Sequence, residues 1–351
     1  VDRLAVLTGS SGAVADAIGA ELGRHGFTVR HAPIGADGRL RLELDPQGVE
    51  AVVHLGLRTP HELDEEARGQ AERSAALAAA GLARSAGARR LVHVSTAAVY
   101  GRPRNLPCRE GELKEPRTAF ERIRWSAEQA SWSAFRRGAP LTVLRPTILY
   151  GPTLTGGPIR ALTLVALFNQ GRRRVPIIRR GPVAHLVHLE DLARAVAHVV
   201  VHPDDRAVVG RAFNVADEAP LPLAEHLAAA LAALGYEPGR IIPTLPRLTG
   251  AILWLFRHVP DRALLGPLNR RLARAWARIV GASSTAALAP RIDREALHWM
   301  SADHYYDTSR LASIGWRPLH PVSTEAIPET IRALVARRVL PGTGGRALPI
   351  W

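Results

Sequence analysis

The chain has one cysteine, Cys108, in 351 residues, so an internal disulfide is excluded and a reducing, cytoplasmic home is expected. Long hydrophobic runs are missing as well. The longest, ALTLVALF and GAILWLF, are too short to cross a bilayer as helices. The N-terminus reads as a strand rather than a signal peptide. Aromatic residues make up only 5%, and none interleave with basic runs, so the means of stacking nucleobases is lacking despite a formal charge of +14. Lysine is almost absent: Lys114 is alone among 46 basic residues. The arginines are scattered through alanine-rich sequence, which fits a GC-rich coding bias better than a nucleic-acid surface. No dedicated nucleic-acid site is expected.

What is present begins at residue 4. LAVL runs into Thr8-Gly9-Ser10-Ser11-Gly12 and then into AVADAIGAELGRH, a strand, a glycine turn and a helix. Such a turn leaves backbone N–H groups free at the positive end of a helix dipole, where a pyrophosphate binds well. Gly9 can adopt angles closed to other residues, Gly12 admits a ligand close to the main chain, and Ala15 keeps helix and strand close.

Strand and helix signals then alternate. FTVRHAPI, RLRLEL, EAVVHLGL, RRLVHVST and LTVLRPTIL read as strands. ERSAALAAAGLARSAG and AFERIRWSAEQASWSAFRRG read as helices ended by Gly87 and Gly138. This βαβ rhythm predicts a doubly wound parallel sheet of Rossmann type, with ligands beyond the carboxyl ends of its strands. After residue 151 the rhythm changes. A smaller, mainly helical substrate domain is expected over about 156–181 and 218–340. The sheet domain takes 1–155 plus about 182–217, and 341–351 is a loose tail. Residues 243–285 mix Leu, Ile, Trp254, Phe256 and Trp276 with arginines. Two readings stay open for them: an amphipathic helical pair packing on its own domain, or a lid over a bulky apolar substrate that also touches a membrane surface.

Seven ordered segments carry a resemblance: TGSSGAVA (8–15), VVHLG (52–56), VSTAAVYG (94–101), LRPTILYGP (144–152), VHLEDLARA (187–195), FNVAD (213–217) and DTSRLASIGWRP (307–318). Together they resemble the extended short-chain dehydrogenase/reductase family, which includes NAD-dependent epimerases and dehydratases and 3β-hydroxysteroid dehydrogenase-like enzymes. The resemblance implies a dinucleotide cradle at Gly9, Ser11, Gly12, Ala13 and Val14. It implies a stretch along the cofactor at Leu55 and Gly56, a hydroxyl for the substrate oxygen at Thr96, and a nicotinamide-side segment at Pro146, Thr147 and Ile148. His188 and Asp191 match a supporting pattern, and a homodimer is the family's habit. No metal is expected, since the His185/His188 and His198/His202 spacings lack a cysteine or carboxylate constellation.

The family's Tyr-x-x-x-Lys is absent. A glutamate that recurs four residues beyond the lysine aligns with Glu128, which puts Phe120 in the tyrosine slot and Arg124 in the lysine slot. Arg124 keeps a charge and donors for the ribose, whereas Phe120 has no proton to give. A replacement donor could come from Thr96, a substrate hydroxyl, Tyr100, Tyr150, Tyr305, Tyr306 or His185. Near the end of the second strand, Pro33 occupies the place of an acid that would bind NAD ribose, and Arg30 stands just before it. That tilts the expected cofactor slightly toward NADP over NAD.

The expected activity is NAD(P)-dependent reduction, dehydration or non-redox rearrangement at a hydroxyl or carbonyl carbon of an apolar metabolite, with an altered proton relay. Three rivals stand beside it: a catalytically silent nucleotide-binding sensor or scaffold, a sugar-nucleotide epimerase or dehydratase relative, and a cofactor-free reuse of the fold.

Overall fold

A computed structural model describes residues 3–35, 37–41, 47–57, 64–156, 158–169, 174–178, 180–242, 254–255, 259, 263–280, 288–292 and 301–340. It divides into two compact units. The first holds Val1–Leu149, Val187–Glu218 and Tyr306–Pro321; the second holds Tyr150–Leu186, Ala219–Tyr305 and Val322–Trp351.

The first unit is built on β1 (Arg3–Gly9), β2 (Phe27–Pro33), β3 (Val49–His54), β4 (Arg90–Val94), β5 (Leu141–Pro146) and the strand Arg211–Val215. Their order is Arg211–Val215, β5, β4, β3, β1, β2, and every pairing is parallel. The apolar runs of β3, β4 and β5 are buried along nearly their whole length, as strands covered on both faces must be. One apolar cluster joins α1 (Ala13–Arg24) and the helix Leu189–Val201 to the sheet through Ile18, Leu22, Leu192 and Val196. A second, on α2 (Glu65–Ser85) and α3 (Ala119–Phe135), uses Ala79, Ala83 and Ala134 against Val52 and Val143. This is the doubly wound Rossmann-type arrangement expected from the alternation.

The order reverses at β1, which pairs with β2 on one side and β3 on the other. At such a switch point the two neighbouring crossovers leave the sheet in opposite directions, so a crevice opens at the carboxyl ends of β1 and β3. The α3 helix starts cleanly beside this edge. Thr118 accepts from the Glu121 amide (3.2 Å) and Glu121 accepts from the Thr118 amide (3.0 Å), a reciprocal cap.

The predicted strand RLRLEL is corrected in part. Leu40 makes an isolated antiparallel bridge to Ile34, and residues 42–46 lie outside the described residues.

The second unit contains a parallel pair, Arg174–Ile178 with Glu237–Ile242, and a short antiparallel pair, Val183–Ala184 with Leu221–Pro222. Its helices include Pro158–Asn169, Leu223–Ala233, Leu265–Val280 and Ser323–Ala336. Much of the 243–285 stretch lies outside the described residues, Arg247, Phe256, Arg257 and Arg262 among them. Within it, Leu272 and Trp276 pack with Leu167, while Arg270, Arg271 and Arg274 are exposed. That is the one-sided pattern of a helix packing on its own domain. Among the described residues, no helix is long and apolar enough to cross a membrane.

Candidate functional site

The glycine turn closes against the end of β3. Gly9 has a φ of +98°, and a Cβ there would overlap the Gly56 carbonyl oxygen. That oxygen accepts from the Ser10 amide (2.7 Å) and the Ser10 hydroxyl (2.9 Å), while the Leu55 amide donates to the Thr8 carbonyl (2.9 Å). The two strand ends are thereby locked into one shelf. Gly12 caps α1 with a φ of +117°, offers no side chain to the first-turn amides, and faces open space where a Cβ would stand. Ser11 and Gly12 are exposed, with Ala13 and Val14 half-buried behind them. The amides of the first helical turn therefore point outward without intrahelical partners.

Across the sheet edge, Pro33 lies level with Gly9 in the β1–β2 register, and Arg30 is an exposed residue three positions back on the same strand. At the end of β5, Pro146 is level with Val215, and the Thr147 amide donates to the Val215 carbonyl (3.1 Å). The Thr147 hydroxyl is buried with no hydrogen-bond partner among the described residues, and Ile148 is half-buried next to it. After β4, the half-buried Thr96 caps a short turn over Ala97–Tyr100. Its oxygen accepts from the Ala98 amide (3.2 Å), which leaves its own O–H to donate elsewhere.

Phe120 and Arg124 sit one turn apart on α3. Phe120 is 38% exposed and lies in the first turn of the helix. Arg124 is only 9% exposed. One terminal nitrogen donates to the Val94 carbonyl (2.7 Å). The other lies 3.6 Å from the Glu72 carboxylate of α2 and against the Cα of Gly56.

The aligning residue Glu128 is the hub of a buried network. It is fully buried, receives two donors of Arg145 (2.6 Å for the shortest bond), and accepts from the Ser95 hydroxyl (2.6 Å) and the Trp132 indole (3.1 Å). Burial works against its charge, but Arg145 and these hydrogen bonds hold its carboxyl below the usual carboxylate range. Arg145 also donates to the Tyr100 hydroxyl (2.7 Å), which donates to Asn214 (2.8 Å). Tyr306 is buried against Tyr100, and its hydroxyl is 3.5 Å from the Ala97 carbonyl. Desolvation pushes both phenols above the ordinary tyrosine value. Tyr100 and Tyr306 are therefore removed as replacement proton donors: their hydroxyls serve the core. Tyr150, Tyr305 and His185 belong to the second unit. Cys108 is fully buried, and desolvation raises its thiol to about 12, which leaves it inert.

Under the shelf lie two histidines invisible to motif reading. His54 and His93 are level on β3 and β4, with ring centroids 5.3 Å apart. His54 pairs with the Thr8 hydroxyl (3.0 Å) and His93 with that of Ser131 (2.8 Å). Burial first, then nearby positive groups, holds His54 well below the usual value and His93 at about 3. Both are neutral when folded, but each would bind a proton near pH 6.5 when unfolded. Their contribution is complete above that pH and lost as pH falls toward the folded values. Denaturant unfolding should show a loss of roughly 2 kcal/mol from His93 on going from about pH 7.5 to about pH 5, with His54 adding to the loss in the same direction. A flat profile over that range in wild type would refute the assignment, and His93→Gln should reduce the slope.

His188 accepts from the Glu190 amide (3.3 Å) and so caps its helix, and the Asp191 carboxylate accepts from the Leu319 (2.5 Å) and His320 (3.0 Å) amides. Asp191 thereby holds the 319–320 loop, and the His188 ring lies against that of His320, with centroids 4.0 Å apart. Glu190 and His320 bring ligand-type atoms within 4.8 Å of each other and of His188, but the His188 Nδ1 is engaged as the cap.

Residues 5–216 match the model of the NAD dependent epimerase/dehydratase family. The chain therefore belongs to the NAD dependent epimerase/dehydratase family, whose dinucleotide fold the shelf and sheet order already describe. Three solved structures share the fold. The Bordetella bronchiseptica enzyme WbmH in complex with NAD+ is 14% identical at a TM-score of 0.62, over 97% of this chain and 100% of that one. The terminal R domain from the myxalamid PKS-NRPS biosynthetic pathway is 18% identical at 0.65, over 95% and 91%. The human epimerase family protein SDR39U1 with NADPH is 16% identical at 0.62, over 94% and 99%. No curated protein matched the chain by sequence.

Proposed function

We propose that the chain binds a nicotinamide dinucleotide on the Gly9–Gly56 shelf and acts on a hydroxyl- or carbonyl-bearing carbon of an apolar small molecule. The observation that carries this reading is the shelf itself. A close backbone approach, a glycine cap without a side chain and outward amides are kept at the switch point of the sheet. The orphaned Thr147 hydroxyl at the end of β5 fits a polar ligand group there. Structures of the same fold hold NAD+ and NADPH. Pro33 in place of an acid and the exposed Arg30 favour NADP in this chain.

When bound, the dinucleotide supplies or accepts a hydride. The chain's own residues do the rest. Gly9, Ser11, Gly12, Ala13 and Val14 bind the pyrophosphate. Leu55 and Gly56 lie along the cofactor, and Pro146, Thr147 and Ile148 flank the nicotinamide. Arg124 places its charge near the ribose. Thr96 donates its free O–H to the substrate oxygen, and Phe120 walls the pocket as an apolar surface. The apolar substrate is favoured by that ring, and the terminal R domain from the myxalamid PKS-NRPS biosynthetic pathway shares the fold.

The silent sensor reading draws on a specific observation. Phe120 has no proton, and the two tyrosines of the first unit, Tyr100 and Tyr306, hold their hydroxyls in buried hydrogen bonds. The Phe120→Tyr variant separates the readings. It should raise NADPH-dependent reduction of an apolar ketone panel by ~10²-fold over wild type, the usual worth of a positioned acid. A variant that binds dinucleotide yet turns over no ketone, alcohol or sugar nucleotide would overturn the enzyme reading in favour of the sensor.

A further inference from the structure

We propose that Glu72 is a positioning residue for the dinucleotide, forming with Arg124 a buried clamp that sets both the 55–57 segment and the guanidinium at the site. The proposal rests on the cofactor reading above and adds a residue that no motif singles out.

Glu72 lies on α2, and its carboxylate makes two different contacts. One oxygen accepts from the Leu57 amide (3.1 Å), fixing the backbone one residue beyond Gly56. The other lies 3.6 Å from Arg124. Arg124 in turn donates to the Val94 carbonyl at the end of β4, and its Nη1 rests on Gly56, where any Cβ would overlap it. One ion pair thus spans α2, α3, the end of β4 and the segment after β3. Arginine suits this place better than lysine. A planar fork can meet a carbonyl with one nitrogen and a carboxylate with the other, whereas an ammonium on a single stem is a point charge. The arginine in the lysine slot then has a physical reason beyond the chain's arginine-rich composition.

The pair is also costly to disturb. Glu72 is buried, and its desolvation raises its pKa against the pull of Arg124 and the Leu57 amide. Arg124 has little room to swing outward and Gly56 none to carry a side chain. The fold therefore spends a buried charge on holding the cofactor-side backbone.

The test compares wild type with Glu72→Gln and Glu72→Ala by calorimetric titration with NADP and with ADP, which lacks the nicotinamide half. Glu72→Gln keeps an acceptor for the Leu57 amide but removes the charge. It should weaken NADP about tenfold and leave ADP within about twofold. Glu72→Ala should weaken NADP further and abolish hydrogen-exchange protection of the Leu57 amide. A merely structural role would lower the melting temperature while moving NADP and ADP together, or neither, and that result would overturn the proposal. Should wild type bind neither nucleotide, the cofactor reading falls first. Loss of Leu57 protection in Glu72→Ala then stands as the separate check on the clamp, and retained protection overturns it.

Discussion

Replacing Gly9 by alanine is expected to abolish dinucleotide binding and to lower stability by ~2–4 kcal/mol, among the largest effects of any single methyl group in this chain. Two penalties add. The residue must hold a φ of +98°, a conformation costing a side-chain-bearing residue on the order of 1–3 kcal/mol. The new Cβ also overlaps the Gly56 carbonyl oxygen, which is backbone and already holds the Ser10 amide and hydroxyl. Relief requires β1 and the segment after β3 to part, and that opens the shelf. Gly12→Ala makes the contrast. Its φ is equally positive, but its Cβ would meet nothing within 4 Å, so the cost is conformational alone. Urea unfolding and nucleotide titration of the two variants check the difference. Equal losses in both would show that the shelf contact carries no weight.

Replacing Arg145 by methionine is expected to cost ~3–5 kcal/mol near neutral pH, the usual result of stripping one partner from a buried pair. Glu128 is left fully buried without its cation, and the Tyr100 hydroxyl loses its donor. The loss should shrink as pH falls, because an unpaired Glu128 escapes by taking a proton. Adding Glu128→Gln to Arg145→Met should recover much of the stability at neutral pH. Denaturant unfolding of the single and double variants at two pH values reads all of this. A double variant no more stable than Arg145→Met would mean that the charge left behind is not the source of the damage.

These two predictions also show which parts of the molecule can be read from the chain. The Gly9 turn is legible because its signals are local: an apolar run, two glycines three apart and an amphipathic helix. The continuous apolar strands β3, β4 and β5 are legible for the same reason. RLRLEL is answered only at its start, where Leu40 bridges to Ile34, since residues 42–46 lie outside the described residues. The Arg145–Glu128 pair joins a strand to a helix 17 residues away, and Glu72 reaches Arg124 from another helix. Such pairs depend on how α3 lies against β5 and against α2, which alanine-rich helix sequence does not announce. His54 and His93 are hidden likewise. Each occupies a strand position that reads as apolar, and only the β3–β4 register brings the rings together. Tyr100 and Tyr306 look reactive in sequence because tyrosine is what the motif lacks, and only their hydrogen bonds show them engaged elsewhere.

Whether the shelf takes a dinucleotide decides the function proposed for it. Thermal unfolding of wild-type protein with NAD, NADH, NADP and NADPH tests this directly. Ligand at a hundred times its Kd adds about 2.7 kcal/mol to the folded state, enough for a clear upward shift in Tm. That shift is expected with at least one of the four, strongest with an NADP form, and should be lost in Gly9→Ala. An unchanged Tm with all four at millimolar concentration would contradict the proposed function.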